Sequence, residues 1–307
     1  QYEGTFRFHT AREISEREPE NVPWVVGPWL AKGSITEVDG KVKTAGKTTF
    51  MLATARTVVD GLPFMGEPTE RMPVVYLTEQ PSSSFTQALR RAHLQDRQDF
   101  HVMFWNEVSR RPWAEVAGAA VAKALELGAV LMVDTLPQFA GIRGDGENAA
   151  GEGLKAMEPL QLGAGTGLPI MVSRHERKSG GDVGDSARGS SAFGGAVDTI
   201  IAIRRGDGNT SPNIRVLECV SRFGGVPAKL FVELTDNGYV ALGTETDVAR
   251  EKARNFLIIE APDTEEGAKK LDDLIDGSEV GKTTAQRAAA ELVTIGKLTR
   301  IGTGRKG

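Results

Sequence analysis

The stretch with the most chemistry per residue runs from Ser34 to Phe50, SITEVDGKVKTAGKTTF. An apolar strand pattern enters a loop holding Gly40 and Gly46, followed by Lys47-Thr48-Thr49 and then by Phe50, Met51, Ala53 and Val58 at helical spacing. Glycines let backbone N–H groups converge on phosphate oxygens, a helix N-terminus adds its positive end, a lysine reaches the outer phosphates and a hydroxyl holds Mg2+. Lys47 stands in the lysine's place and Thr48 in the hydroxyl's, with Gly40, Lys43, Ala45, Gly46 and Thr49 as the remaining nucleotide contacts. The usual spacing puts the first glycine at position 41, which here is Lys41, so the loop is read as one residue longer. The alternative is a glycine turn before an ordinary helix.

Hydrolysis at such a P-loop needs two carboxylates at the ends of neighbouring parallel strands, one near the metal and one orienting water. Gly128-Ala129-Val130-Leu131-Met132-Val133-Asp134 is an apolar strand ending in an acid, which gives Asp134 the metal role beside Thr48. Val74-Val75-Tyr76-Leu77-Thr78-Glu79 is another, with Glu79 the candidate for polarising water. A third strand end, Ile170-Met171-Val172-Ser173-Arg174-His175, offers Ser173 and His175 as nucleotide sensors. It runs into a loop rich in glycine and cations, with Lys178 and Arg188, suited to phosphates of a nucleotide or of a nucleic acid. A solvated surface loop with His175 merely packed is the plainer reading.

These residues require a sheet whose strands end together. Short β-branched apolar runs alternate with helical stretches, the pattern of a mainly parallel sheet covered by helices. The predicted strands are Ser34–Val38, Val74–Thr78, His101–Phe104, Ala129–Val133 and Leu168–Val172. The predicted helices are Thr48–Asp60, Phe85–Ala92 and Trp113–Leu127, with Gly61 and Gly128 closing the first and last. After Gly195 the spacing tightens into Thr199–Arg204, Ile214–Ser221, Lys229–Leu234 and Tyr239–Leu242, joined by turns such as Asp236-Asn237-Gly238 and read as antiparallel edge strands. From Thr246 the pattern becomes three helices, Val248–Glu260, Glu265–Ile275 and Thr283–Ile295, and a short strand, Lys297–Ile301. That order is the one of a winged helix-turn-helix. The division expected is an arm over 1–30, an α/β core over 31–245 and a winged helix-turn-helix over 246–307, its wing beginning at Ile301.

With 307 residues, 40% hydrophobic and 25% charged, the chain is globular in composition. One cysteine, Cys219, excludes an internal disulfide, and the four histidines show no metal-ligand spacing. No apolar run reaches the roughly 20 residues that span a bilayer, so a cytoplasmic setting without membrane contact is expected. The net charge is only −4, yet the segment from Gly281 carries six basic residues against the single acid Glu291. Such asymmetry suits a polyanion, or else a solvated tail.

Together GKTTF (Gly46–Phe50), VVYLTEQ (Val74–Gln80), VLMVDTLPQF (Val130–Phe139), DGEN (Asp145–Asn148) and VSRHERKSGGDVGDSARGSSAFGGAVD (Val172–Asp198) resemble RecA-type ATPases of the plasmid RepA and DnaB helicase group. The resemblance covers roughly Phe6 to Leu242. It implies a RecA-like P-loop core, ATP and Mg2+ as cofactors, and a homo-hexameric ring around single-stranded DNA. It also implies a cation reaching into the neighbour's site, for which Arg222 is the matching position; where the DnaB pattern has a lysine two residues earlier, this chain has Val220. The tail resembles winged-helix DNA-binding domains, with Lys282, Thr283, Thr284, Gln286 and Arg287 opening a helix that would face duplex DNA and Arg305 in the wing. The expected activity is that of an ATP-hydrolysing helicase. The rivals are a RecA-like ATPase that binds DNA without unwinding it, and a nucleotide-switched DNA-binding regulator.

Overall fold

A strand buried on both faces must be apolar along its whole length, and residues 74–78, 130–134 and 170–173 come close to that condition. The computed structural model describes residues 6–17, 19–41, 45–142, 150–175, 191–206, 211–276 and 278–302. The chain begins with helix α1 (Ala11–Arg17), a hairpin of β1 (Trp24–Val26) and β2 (Leu30–Ala31), strand β3 (Ile35–Gly40) and helix α2 (Lys47–Asp60). Next come β4 (Val74–Thr78), α3 (Ser82–Arg91), β5 (Phe100–Phe104), α4 (Trp105–Val108), α5 (Trp113–Leu127), β6 (Val130–Asp134), α6 (Leu136–Ala140), α7 (Ala150–Ala164) and β7 (Ile170–Ser173). The rest is α8 (Ser191–Ala196), β8 (Thr199–Arg205), β9 (Ile214–Ser221), β10 (Lys229–Thr235), β11 (Gly238–Gly243), α9 (Glu245–Glu260), α10 (Leu271–Ile275) and α11 (Lys282–Thr294).

Nine strands form one sheet in the order β11-β10-β9-β8-β3-β7-β6-β4-β5. From β8 to β5 every pairing is parallel, whereas β9, β10 and β11 add on antiparallel at one edge. Two apolar layers cover the sheet. One holds Phe50, Met51 and Val58 of α2 and Phe85 of α3. The other holds Val116 and Ala120 of α5 with Met157 and Leu160 of α7. The left-handed conformation of Gly61 and of Gly128 closes α2 and α5, a conformation open to glycine at little cost.

Three expectations are corrected. Residues Trp24–Leu30 are not part of an arm: Trp24–Val26 pairs with Leu30–Ala31 as β1 and β2, and Val25, Val26, Trp29 and Leu30 are buried in the core layer of α2. The apolar content of VVGPWL outweighs its prolines. The helix expected over Glu265–Ile275 forms only over Leu271–Ile275, Gly267 being a poor helix former. Lys297–Ile301 is not a strand, because the Lys297 and Leu298 N–H groups both donate to the Leu292 carbonyl (2.8 and 3.2 Å) and so close α11. Leu298 then packs on a small core of Ala253, Leu257, Ala288 and Leu292 that joins α9, α10 and α11. No helix among the described residues is long and apolar enough to cross a membrane.

Candidate nucleotide site

The C-terminal ends of β3, β4, β6 and β7 come together, as the parallel register requires, and each delivers one polar group. After β3 the backbone passes Gly40, where a Cβ would stand 2.7 Å from Ala45 Cβ and 2.8 Å from the Ile203 carbonyl oxygen. Only glycine fits that approach. Gly46, left-handed, caps the start of α2. Lys47 is buried, and its Nζ donates to the carbonyls of Gly40 (2.7 Å) and Lys41 (3.4 Å).

Asp134, at the end of β6, is the hub. Its Oδ2 accepts from Thr48 Oγ1 (2.6 Å) and Tyr76 OH (3.0 Å), and its Oδ1 accepts from Ser173 Oγ (2.5 Å). Burial, then the Asp134 carboxylate, holds the Tyr76 hydroxyl well above its ordinary pKa, so it remains a donor. Glu79, one residue beyond β4, receives Thr135 Oγ1 on Oε2 (2.6 Å), while its own N–H donates to the Asp134 carbonyl (2.8 Å). Burial raises the Glu79 pKa above the usual carboxylate value, opposed by the Thr135 hydrogen bond and the Lys47 charge. His175 lines the same cleft with a buried Nδ1 that has no partner among the described residues, and burial followed by the Lys47 charge lowers its pKa toward the neutral ring.

Gly46, Lys47, Thr48, Glu79, Asp134, Thr135 and His175 line one cleft of about 1550 Å3. Among the described residues no cluster of three or more His, Cys, Asp or Glu is assembled as a metal site. Mg2+ does not need one, being bound through one or two carboxylates with phosphate and water oxygens. The Thr48 hydroxyl and Asp134 carboxylate, hard oxygens in mutual contact, fit it.

Thus Gly40, Ala45, Gly46, Lys47, Thr48, Thr49, Glu79, Asp134, Ser173 and His175 are brought together. Arg222 is not. It follows β9, whose end Ser221 pairs with Thr199 at the opposite end of β8 from Ile203, the partner of Gly40. There Arg222, 61% exposed, donates to Asp198 Oδ1 (3.2 Å) and to the Gly195 carbonyl (2.7 Å). On α11, Lys282, Thr283, Gln286 and Arg287 are exposed and Thr284 is half-buried, with Lys282 held by Asp272 at 2.6 Å. Lys43, Lys178, Arg188, Arg305 and the DGEN segment lie outside the described residues.

Two contributors escape sequence reasoning. Gln80 Nε2 reaches Thr48 Oγ1 (3.4 Å), a neighbour of Glu79 whose type gave no separate signal. The β10–β11 turn, Asp236-Asn237-Gly238, also lines the cleft, yet its sequence says only that the chain reverses.

The P-loop, the strand-end acids and the sheet order define a RecA-like P-loop ATPase. The chain belongs to the AAA domain family, whose model matches residues 3–181. Among solved structures it is similar to a KaiC-like protein from the hyperthermophilic archaeon Pyrococcus horikoshii OT3, with a TM-score of 0.51 at 13% identity over 72% of this chain and 97% of that one. A RadB recombinase gives a TM-score of 0.48 at 15% identity over 69% and 91%. At such identities the first likeness is one of fold, and the second adds nothing to it. A comparison with curated protein sequences gives no match.

Proposed function

We propose that this chain is a Mg2+-dependent ATPase that acts on DNA as a helicase motor of the RepA and DnaB kind. The observation that carries the reading is the convergence of Lys47, Thr48, Glu79 and Asp134 on one cleft, with Ser173 of the neighbouring strand end bonded to Asp134 behind them. Lys47 neutralises charge on the outer phosphates, and Glu79 orients the attacking water. Thr48 and Asp134 hold the metal, which supplies charge neutralisation for the phosphates when bound. Ser173 and His175 report the outer phosphate to the loop that follows them.

Arg222 acts in the neighbouring copy. Its exposure and its place at the opposite end of the sheet from its own P-loop favour that role over one in its own site. The C-terminal helices form a DNA-contacting unit with Lys282, Thr283, Gln286 and Arg287 on its open face, supported by a core separate from the two layers of the sheet.

The test is ATP turnover with and without single-stranded DNA, followed by displacement of a labelled strand from a forked duplex. DNA-stimulated turnover with displacement is expected. Stimulated turnover without displacement would replace the helicase with a DNA-bound ATPase.

A further inference from the structure

Beside the P-loop, on the antiparallel edge of the sheet, stands a group that the nucleotide site as described does not use. Tyr239, the second residue of β11, is 6% exposed and lines the cleft shared by Lys47 and Thr48. Its ring meets Phe50 of α2 edge-on, with centroids 5.3 Å apart at 63°. The hydroxyl points at Gly46, where a Cβ would lie 3.7 Å from it, so it sits against the N-terminal cap of a 14-residue helix. It is closed off from water and has no hydrogen-bond partner among the described residues.

A buried donor without an acceptor is destabilising, and phenylalanine would fill the same space without that penalty. Nearby in charge is Arg215 of β9, 9% exposed, whose Nε is likewise buried and unpartnered. Its Nη1 reaches only the carbonyls of Pro212 and Ile214 (2.5 and 2.9 Å), and no carboxylate pairs with it among the described residues. Burial pushes the Tyr239 hydroxyl up to about 12, so it stays protonated at any working pH. The unsatisfied Tyr239 hydroxyl thus faces the N-terminal end of α2, where backbone N–H groups and the helix dipole already favour an anion.

We propose that Tyr239 is a nucleotide contact, its hydroxyl donating a hydrogen bond to a phosphate oxygen of the bound nucleotide with the Arg215 cation behind it. The β10–β11 hairpin then forms a second wall of the phosphate site, opposite the strand-end acids. This rests on the nucleotide reading above and adds a residue to it. Because β11 ends at Gly243, directly before the Thr244 cap of α9, the contact also ties nucleotide occupancy to the strand that leads into the C-terminal helices.

The test is the affinity of the whole chain and its Tyr239→Phe variant for ATP and for tripolyphosphate, with Lys47→Ala beside them. A hydrogen bond to a charged group is worth about tenfold or more in affinity, so Tyr239→Phe should weaken ATP and tripolyphosphate alike by that factor. The unliganded variant should melt at or above the wild-type temperature, since it loses an unsatisfied donor. Lys47-dependent ATP binding that Tyr239→Phe leaves unchanged would overturn the Tyr239 contact while keeping the nucleotide site. A loss confined to ATP would place the contact on ribose or base and overturn the phosphate assignment. Failure of the wild type to bind ATP would overturn both.

Discussion

Asp134 accepts three hydroxyl donors, so a change of one atom there disturbs helix α2 and strands β4 and β7 at once. Asp134→Asn replaces an acceptor with an amide donor facing hydroxyls, and is expected to lower Mg2+-dependent turnover by about 10²-fold or more while ATP still binds. Equal turnover at saturating Mg2+ would remove it from the metal role. Glu79 gives a pH signature. Its folded pKa is raised, first by burial, above that of the unfolded chain, so ionisation weakens the fold as pH rises through that interval and the full stability is present below it. A general base must be ionised, so turnover should fall on the acid side at a higher pH than for an ordinary carboxylate. Glu79→Gln should bind nucleotide, lose turnover by about 10²-fold or more, and melt no lower than wild type at neutral pH. Its advantage in melting should shrink as acid protonates the wild-type carboxyl; a variant with normal turnover removes Glu79 from the role.

At the scale of elements, much was legible because pattern and periodicity are local. Val74–Thr78 and Trp113–Leu127 match their expected bounds, and the strand-end acids followed from apolar runs that stop at Asp134 and Glu79. What was not legible depends on distant partners. The burial of Trp29 rests on packing against α2, which its proline-flanked neighbourhood does not announce. Likewise Tyr239 meets Phe50 across 188 intervening positions of sequence, and no local signal encodes that. Lys297–Ile301 failed as a strand because its first N–H groups were taken by the end of α11. Two substitutions test these elements. Trp29→Ala should cost about 3–5 kcal/mol in a denaturant titration, where an arm residue would cost almost nothing. Gly40→Ala forces a Cβ to within 2.7 Å of Ala45, so ATP affinity should collapse with little change in far-UV circular dichroism.

For the whole molecule, the sheet separates Lys47 from Arg222 by its own length, which makes assembly a condition for hydrolysis if Arg222 serves a neighbour. An arginine supplied in this way contributes on the order of 10³ in rate. Arg222→Ala should therefore bind ATP normally and be nearly idle, while a mixture with Lys47→Ala should regain activity, because mixed interfaces join an intact P-loop to an intact arginine. No recovery at micromolar protein would count against action between copies. The central claim is that the four strand ends form one hydrolysing centre. Phosphate release from ATP by the wild-type chain beside Lys47→Ala, with Mg2+ and single-stranded DNA present, tests it most directly. The account predicts turnover in the wild type that the variant loses; a wild type that binds ATP without releasing phosphate, or a variant that releases it equally, would contradict it.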